Sequence, residues 1–176
     1  MLLHKLDSLK RYAKYLQQAP GEVSALFEEL LINVTGFFRD PETFEALKQV
    51  VFPRILKDRD NDYPLRIWVP ACSTGEEAYS IAMILLEYLG QQDGRPPIQI
   101  FATDVSESAV HKARAARYPE NIAADVSPER LKRFFYKSEG GYQVSKPIRD
   151  MCIVARQNLV RDPPFSGLDL ISCRNL

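Results

Sequence analysis

The chain has 176 residues, 23 Lys and Arg against 23 Asp and Glu for a net charge of zero, and 45% apolar residues. Those values describe one α/β unit with its own core. The charge balance argues against a binder of nucleic-acid backbones, which carries a basic excess. No apolar run reaches the roughly 18 residues of a membrane span, and no signal peptide opens the chain, so direct membrane insertion is not expected. Cys72, Cys152 and Cys173 lack Cys-x-x-Cys spacing, and His4 and His111 stand far apart. No metal site is expected, and the cysteines read as reduced thiols of a cytoplasmic protein.

In chain order, Leu2, Leu6, Leu9, Ala13 and Leu16 form a first apolar helical face, beside Lys5, Lys10, Arg11 and Lys14 against Asp7. Val23, Leu26, Phe27, Leu30 and Leu31 form a second. Asp40-Pro41-Glu42 has the capping residue and first-turn proline of a third helix, which buries Phe44, Leu47 and Val51 and is kinked or ended by Pro53. Residues 1–57 therefore read as an N-terminal helical layer, too short to be a robust domain alone. Residues 58–176 read as a partial Rossmann-like α/β sheet.

The apolar run 65–69 predicts a strand, the small residues 71–75 a tight turn, and Ala78, Ile81, Ala82, Leu85 and Leu89 a helix, capped by Ser73 or Thr74 and ended near Gly90. This is the first half of a βαβ nucleotide-binding unit. Its turn lacks both the Lys of a phosphate-binding loop and the three glycines of a dinucleotide fingerprint. Instead a single Gly75 is followed by Glu76 and Glu77. Two carboxylates suit a helix N-terminus but repel a phosphate. The expected ligand is cationic or rich in hydroxyl and amine donors, as S-adenosylmethionine is.

A second strand, 97–103, ends at Asp104, and Ser106 caps a helix with Ala109, Val110, Ala113 and Ala116. Asp104 either starts a turn or hydrogen-bonds ribose hydroxyls, the role of an acidic residue at this place in a βαβ unit; beside the Gly75 turn the ribose reading is preferred. Ser127-Pro128-Glu129 opens a short helix. Gly140-Gly141 then turns between strand-like pieces at 142–144 and 147–148, a small β insertion near 136–150. Strands at 151–156 and 168–172 complete a half-sheet of order 3-2-1-4, with the cofactor at the switch point between the first and fourth. Asp162-Pro163-Pro164-Phe165 resembles the tetrapeptide of amino-methylating nucleic-acid enzymes, but it precedes the fourth strand instead of following it.

Asn33-Val34-Thr35-Gly36-Phe37-Phe38-Arg39-Asp40, Ala71-Cys72-Ser73-Thr74-Gly75-Glu76-Glu77, Ala102-Thr103-Asp104, Gln157-Asn158-Leu159 and Cys173-Arg174-Asn175 resemble, in order, the motifs of the chemotaxis receptor glutamate methyltransferases, the CheR type. The resemblance runs from about residue 20 to the last. It implies transfer of a methyl group from S-adenosylmethionine to glutamate side chains on the cytoplasmic helices of chemoreceptors, leaving S-adenosylhomocysteine. It implies cofactor contacts at Gly75, Glu77, Asp104, Asn158 and Leu159. Asn33, Thr35 and Arg39 would line the methionine end and the transfer site, and Arg174 and Asn175 would sit beside the cofactor at the end of the fourth strand. Arg39 is the candidate catalytic residue, orienting the acceptor carboxylate, with a loop cap or a pair with Asp40 as its other reading. The family sheet continues beyond four strands, so the chain is expected to be truncated at its C-terminus, with an open apolar edge that favours self-association. The competing functional reading is a binding module without turnover, holding the cofactor or a receptor helix.

Overall fold

The computed structural model describes residues 8–30, 35–90 and 95–174; Leu2, Lys5, Leu6, Asp7, Leu31, Asn33 and Asn175 lie outside the described residues. The chain divides into two compact units, Met1–Ile32 and Asn33–Leu176. In the first, α1 (Leu9–Gln18) starts at Ser8, whose hydroxyl accepts from the Arg11 amide. α2 (Pro20–Leu30) follows after one residue, its proline placed where no helical N–H is needed. The Tyr12 hydroxyl donates to the Glu22 carboxylate at 2.8 Å, joining the two helices.

The second unit opens with α3 (Pro41–Ala46), a widened π-type turn (Leu47–Val51) and α4 (Phe52–Ile55). The single helix expected here is thus interrupted ahead of Pro53, not at it. Pro53 has no amide hydrogen and crowds the carbonyl four residues back; the wider turn, closed by the Phe52 amide on the Leu47 carbonyl, accommodates it. Asp40 precedes α3 at φ 57° without capping it through its side chain, a second departure from expectation.

Four parallel strands form the main sheet: β1 (Leu65–Pro70), β2 (Ile98–Asp104), β6 (Cys152–Arg156) and β7 (Leu170–Ile171), side by side in the order β6-β2-β1-β7. β7 is shorter than the run 168–172. Asp169 instead binds backward, its carboxylate accepting from the Arg66 amide at 2.8 Å and from Arg59 at 2.6 Å.

Side chains alternate between faces. Leu65, Ile67, Val69, Ile100 and Ala102 are buried in the core with Ile81, Ala82, Met83, Ile84 and Leu85 of α5 (Glu76–Leu89). Trp68 and Phe101 occupy the opposite face, where Phe165 stacks on Phe101 at 4.3 Å and meets Trp68 edge-on at 5.4 Å. The Asp162–Phe165 run therefore packs its aromatic against the sheet.

α6 (Glu107–Ala115) follows β2, capped by Ser106 as expected. Beyond it a second, antiparallel sheet holds β3 (Arg117–Pro119), β5 (Gly141–Val144) and β4 (Phe135–Ser138), in that order. α7 (Pro128–Phe134), capped by Ser127, leads into β4. The β insertion is thus larger than a hairpin: β3 joins from before α7. Pro147 and Ile148, expected as a strand, lie in α8 (Lys146–Asp150), where a proline at the first turn suits a helix start and Ile148 is buried.

Candidate cofactor site

The carboxyl ends of β1, β2, β6 and β7 meet at one edge of the sheet, and β7 lies on the far side of β1 from β2 and β6. This is the switch point of an open α/β sheet, where ligands bind. The turn after β1 is tightly wound: Ala71, Ser73 and Gly75 take φ of 52°, 49° and 95°. Such conformations persist in non-glycine residues only where surroundings hold them. Here the Cys72 amide donates to the Thr103 carbonyl at 2.9 Å, the Gly75 amide to the Cys72 carbonyl at 2.9 Å, and the Tyr118 hydroxyl to the Thr74 carbonyl at 2.7 Å.

α5 begins at Gly75 itself, not at a capping Ser73 or Thr74. The Thr74 hydroxyl is engaged elsewhere, 2.7 and 2.8 Å from the Glu76 carboxylate oxygens. Gly75 is required at this point. A Cβ there would stand 3.0 Å from the Ala113 Cβ, 3.2 Å from a Tyr79 ring carbon and 3.3 Å from the Tyr118 hydroxyl.

Asp104 is buried, and its carboxylate bridges two turns: Oδ2 accepts from the Ser73 amide at 2.7 Å and Oδ1 from the Ser106 amide at 2.9 Å. A carboxylate offers about four acceptor directions, so two remain after these bonds. The Gln157 amide donates to the Asp104 carbonyl at 3.0 Å, which brings the start of the 158–162 turn beside Asp104. Within that turn the Asn158 side chain accepts from the Val160 amide at 3.0 Å, and the Asn158 amide donates to Asp162 at 2.7 Å. Leu159 is partly exposed.

On the other side of β1, Glu77 Oε1 accepts from the Ser172 hydroxyl at 2.7 Å and Oε2 lies 3.7 Å from Arg174. Arg174 also donates to the Arg39 carbonyl at 3.0 Å, pairs with the Asp40 carboxylate and lies 5.7 Å from the Phe44 ring. Glu77, Arg174, the Arg39 backbone and Asp40 are therefore joined, while Asp104 and Asn158 lie across the β1–β2 junction. Thr35 is half-buried and the Arg39 side chain is on the surface. Ser172 was not singled out from the sequence, and Ser106 only as a helix cap, not as a donor to Asp104; the signal for Ser172 is its place just past a short apolar strand.

Two titrations characterise the turn. Burial pushes the Cys72 thiol up to about 12, with Asp104, Glu76 and Glu77 adding in the same direction. Cys72 stays a neutral thiol at physiological pH and is no nucleophile. Burial also raises the Glu76 carboxyl above the usual range, against the Thr74 hydrogen bonds and Lys112. A carboxylate whose folded pKa exceeds its unfolded one weakens the fold fully above the folded pKa; stability is regained as pH falls through that pKa toward the unfolded value. Glu76→Gln is expected to raise the thermal midpoint at pH 7, with the gain vanishing at lower pH. Unfolding scans across the acid limb measure it.

The chemistry of these groups fits S-adenosylmethionine. The 71–77 segment has two carboxylates and no Lys or Arg to meet a phosphate, and Asp104 retains acceptor directions for hydroxyl donors. A parallel sheet with an acidic glycine turn and a bridging carboxylate at its switch point is a Rossmann-like nucleoside-binding domain.

More narrowly, the chain belongs to the CheR methyltransferase family: the family described as "CheR methyltransferase, SAM binding domain" matches residues 33–176. The chain is 38% identical over 175 residues to an "Uncharacterized 104.1 kDa protein in hypE 3'region" of Rhodobacter capsulatus, covering 99% of this chain and 18% of that protein. It is 35% identical over 180 residues to "Chemotaxis protein methyltransferase 2" of Pseudomonas aeruginosa, covering 99% and 62%. Against the "Chemotaxis protein methyltransferase" of Borreliella burgdorferi it is 32% identical over 185 residues, covering 99% and 65%. The chain thus spans less than two thirds of each of these relatives. Among the described residues no helix is long and apolar enough to cross a membrane.

Proposed function

We propose that this chain is the cofactor-binding part of a protein-glutamate O-methyltransferase acting on the cytoplasmic helices of chemoreceptors. The observation that carries the proposal is the Asp104 bridge: one buried carboxylate at the end of β2 joins the turns after β1 and β2 and still has acceptor capacity. Asp104 takes the ribose hydroxyls, Glu77 the cofactor's α-amino group, and Gly75 lets the backbone approach. Asn158 and Leu159 line the base. Thr35 and Arg39 line the methionine end and Arg174 sits beside the cofactor at the end of β7; the family resemblance adds Asn33 and Asn175, outside the described residues, as further contacts. S-adenosylmethionine, when bound, supplies a methyl group on a sulfonium, already electrophilic.

The acceptor glutamate, with an ordinary pKa of about 4.3, is ionised at neutral pH, so no residue of this chain need remove a proton. Arg39 holds the acceptor carboxylate in line through its planar fork and excludes the water that would solvate it. The carboxylate oxygen gains the bond to the methyl carbon as the carbon–sulfur bond breaks, its electron pair staying on sulfur.

Incubation with methyl-labelled S-adenosylmethionine and a chemoreceptor cytoplasmic fragment tests this. Label released as methanol by mild alkali is expected, because a carboxyl methyl ester hydrolyses readily. Alkali-stable label, or none with the cofactor bound, contradicts the proposal.

A further inference from the structure

Arg39 lies between two residues in left-handed conformation, Phe38 at φ 52° and Asp40 at φ 57°. Neither is glycine, and a side-chain-bearing residue is strained there and stays only where its surroundings hold it. Asp40 is fixed from the site itself, by Arg174. Phe38 is fixed from elsewhere. Its amide donates to the Ser80 hydroxyl at 3.1 Å, which in turn donates to the Glu76 carbonyl at 2.7 Å. Its ring is buried, edge-on to Phe44 at 5.5 Å, and the Arg130 guanidinium carbon lies 4.1 Å from its centroid.

Arg130 belongs to α7, at the entrance to the β insertion, and is itself held rigidly. Nε donates to Glu87 Oε1 at 2.7 Å and Nη2 to Oε2 at 2.8 Å, a two-point fork that fixes the guanidinium plane. Lys48, from the widened turn after α3, lies 3.6 Å from the same carboxylate. Burial alone would raise the Glu87 carboxyl, but the Arg130 hydrogen bonds and charge, with Lys48, outweigh it and hold it below the usual range. A pair that only stitched α7 to α5 would have no need of the ring. A guanidinium plane locked by a fork and seated on an aromatic face, in contrast, clamps that ring from one side while Phe44 holds its edge.

We propose that Arg130, oriented by Glu87, is a positioning residue for Arg39: it clamps the Phe38 ring and so holds the strained turn that presents Arg39 to the methionine end of the cofactor and the transfer site. The proposal rests on the reading of Arg39 given above. The clamp also ties the β insertion to the site, since α7 runs directly into β4.

The test compares binding of S-adenosylhomocysteine, which carries the amino-acid end, with 5′-methylthioadenosine, which lacks it. Arg130→Ala is expected to weaken the first about tenfold and the second less than twofold, with Arg130→Lys between wild type and Ala. In an Arg39→Ala background Arg130→Ala is expected to add nothing. Hydrogen exchange at residues 38–40 is expected to quicken in Arg130→Ala while the middle of α5 keeps its protection. Equal weakening of both ligands, or additivity with Arg39→Ala, assigns Arg130 a general structural role and overturns the proposal, as does unchanged exchange at 38–40. If Arg39→Ala binds both ligands as wild type does, the reading of Arg39 fails, and the exchange result alone decides whether the clamp exists. Arg130→Gln, which keeps the stem, takes the place of Arg130→Ala if the latter does not fold.

Discussion

Asp104→Ala is expected to abolish measurable binding of S-adenosylhomocysteine, with affinity falling by about a hundredfold or more. The carboxylate would accept from two ribose hydroxyls, and hydrogen bonds to a charged group contribute about 1.5–3 kcal/mol each, so about 3 kcal/mol is the lower end. The same substitution strips the Ser73 and Ser106 amides of their acceptor at 2.7 and 2.9 Å. A buried amide left without a partner costs about 1–3 kcal/mol, so the fold weakens as well. Asp104→Asn separates the two effects: it preserves shape and one acceptor oxygen, and retains more stability than affinity. Calorimetry for the ligand and urea unfolding for the fold measure them; a variant that is destabilised yet binds normally would remove Asp104 from the cofactor site.

Gly75→Ala is the second large effect. At φ 95° an L-residue is strained, and the added carbon meets Ala113, Tyr79 and Tyr118 at 3.0–3.3 Å from three directions. These neighbours are themselves fixed, since Tyr79 donates to the Ala113 carbonyl at 2.8 Å and Tyr118 to the Thr74 carbonyl at 2.7 Å. Strain and overpacking together are expected to cost about 3 kcal/mol. Gly140→Ala is the control: its φ is 75°, but nothing lies within 4 Å of the added carbon, so only the backbone term of about 1 kcal/mol applies. Denaturant midpoints compare the two directly, and equal losses would show that the crowding around Gly75 relaxes away.

The parallel sheet and its acidic turn were legible because their signals are local. Apolar runs at 65–69 and 98–103 predict strands, a lone Gly75 predicts a backbone need, and Ser106 and Ser127 cap the helices they precede. Thr74 looks like a helix cap, but Glu76, two residues on, takes its hydroxyl and leaves Gly75 at the helix start. Most of what else sequence reading missed depends on partners distant along the chain. Asp40 looks like a helix cap until Arg174 is brought against it. β3 has no apolar alternation to announce it; its three residues, one a proline, become a strand only because β5 lies alongside. The widened turn ahead of Pro53 likewise leaves no periodic trace. In the site, Asp104 was legible as a candidate ligand group but not as the bridge between two turns, and neither the Ser172–Glu77 bond nor the Arg130–Phe38 contact has any local pattern.

Calorimetric titration of the 176-residue chain with S-adenosylhomocysteine tests the central claim most directly. Saturable binding at one site per chain is predicted, since each group assigned to the nucleoside lies on β1, β2, β6 or the turns that follow them. A cooperatively folded protein that gives no binding heat at several temperatures, and no ligand-induced rise in thermal midpoint, would contradict the account.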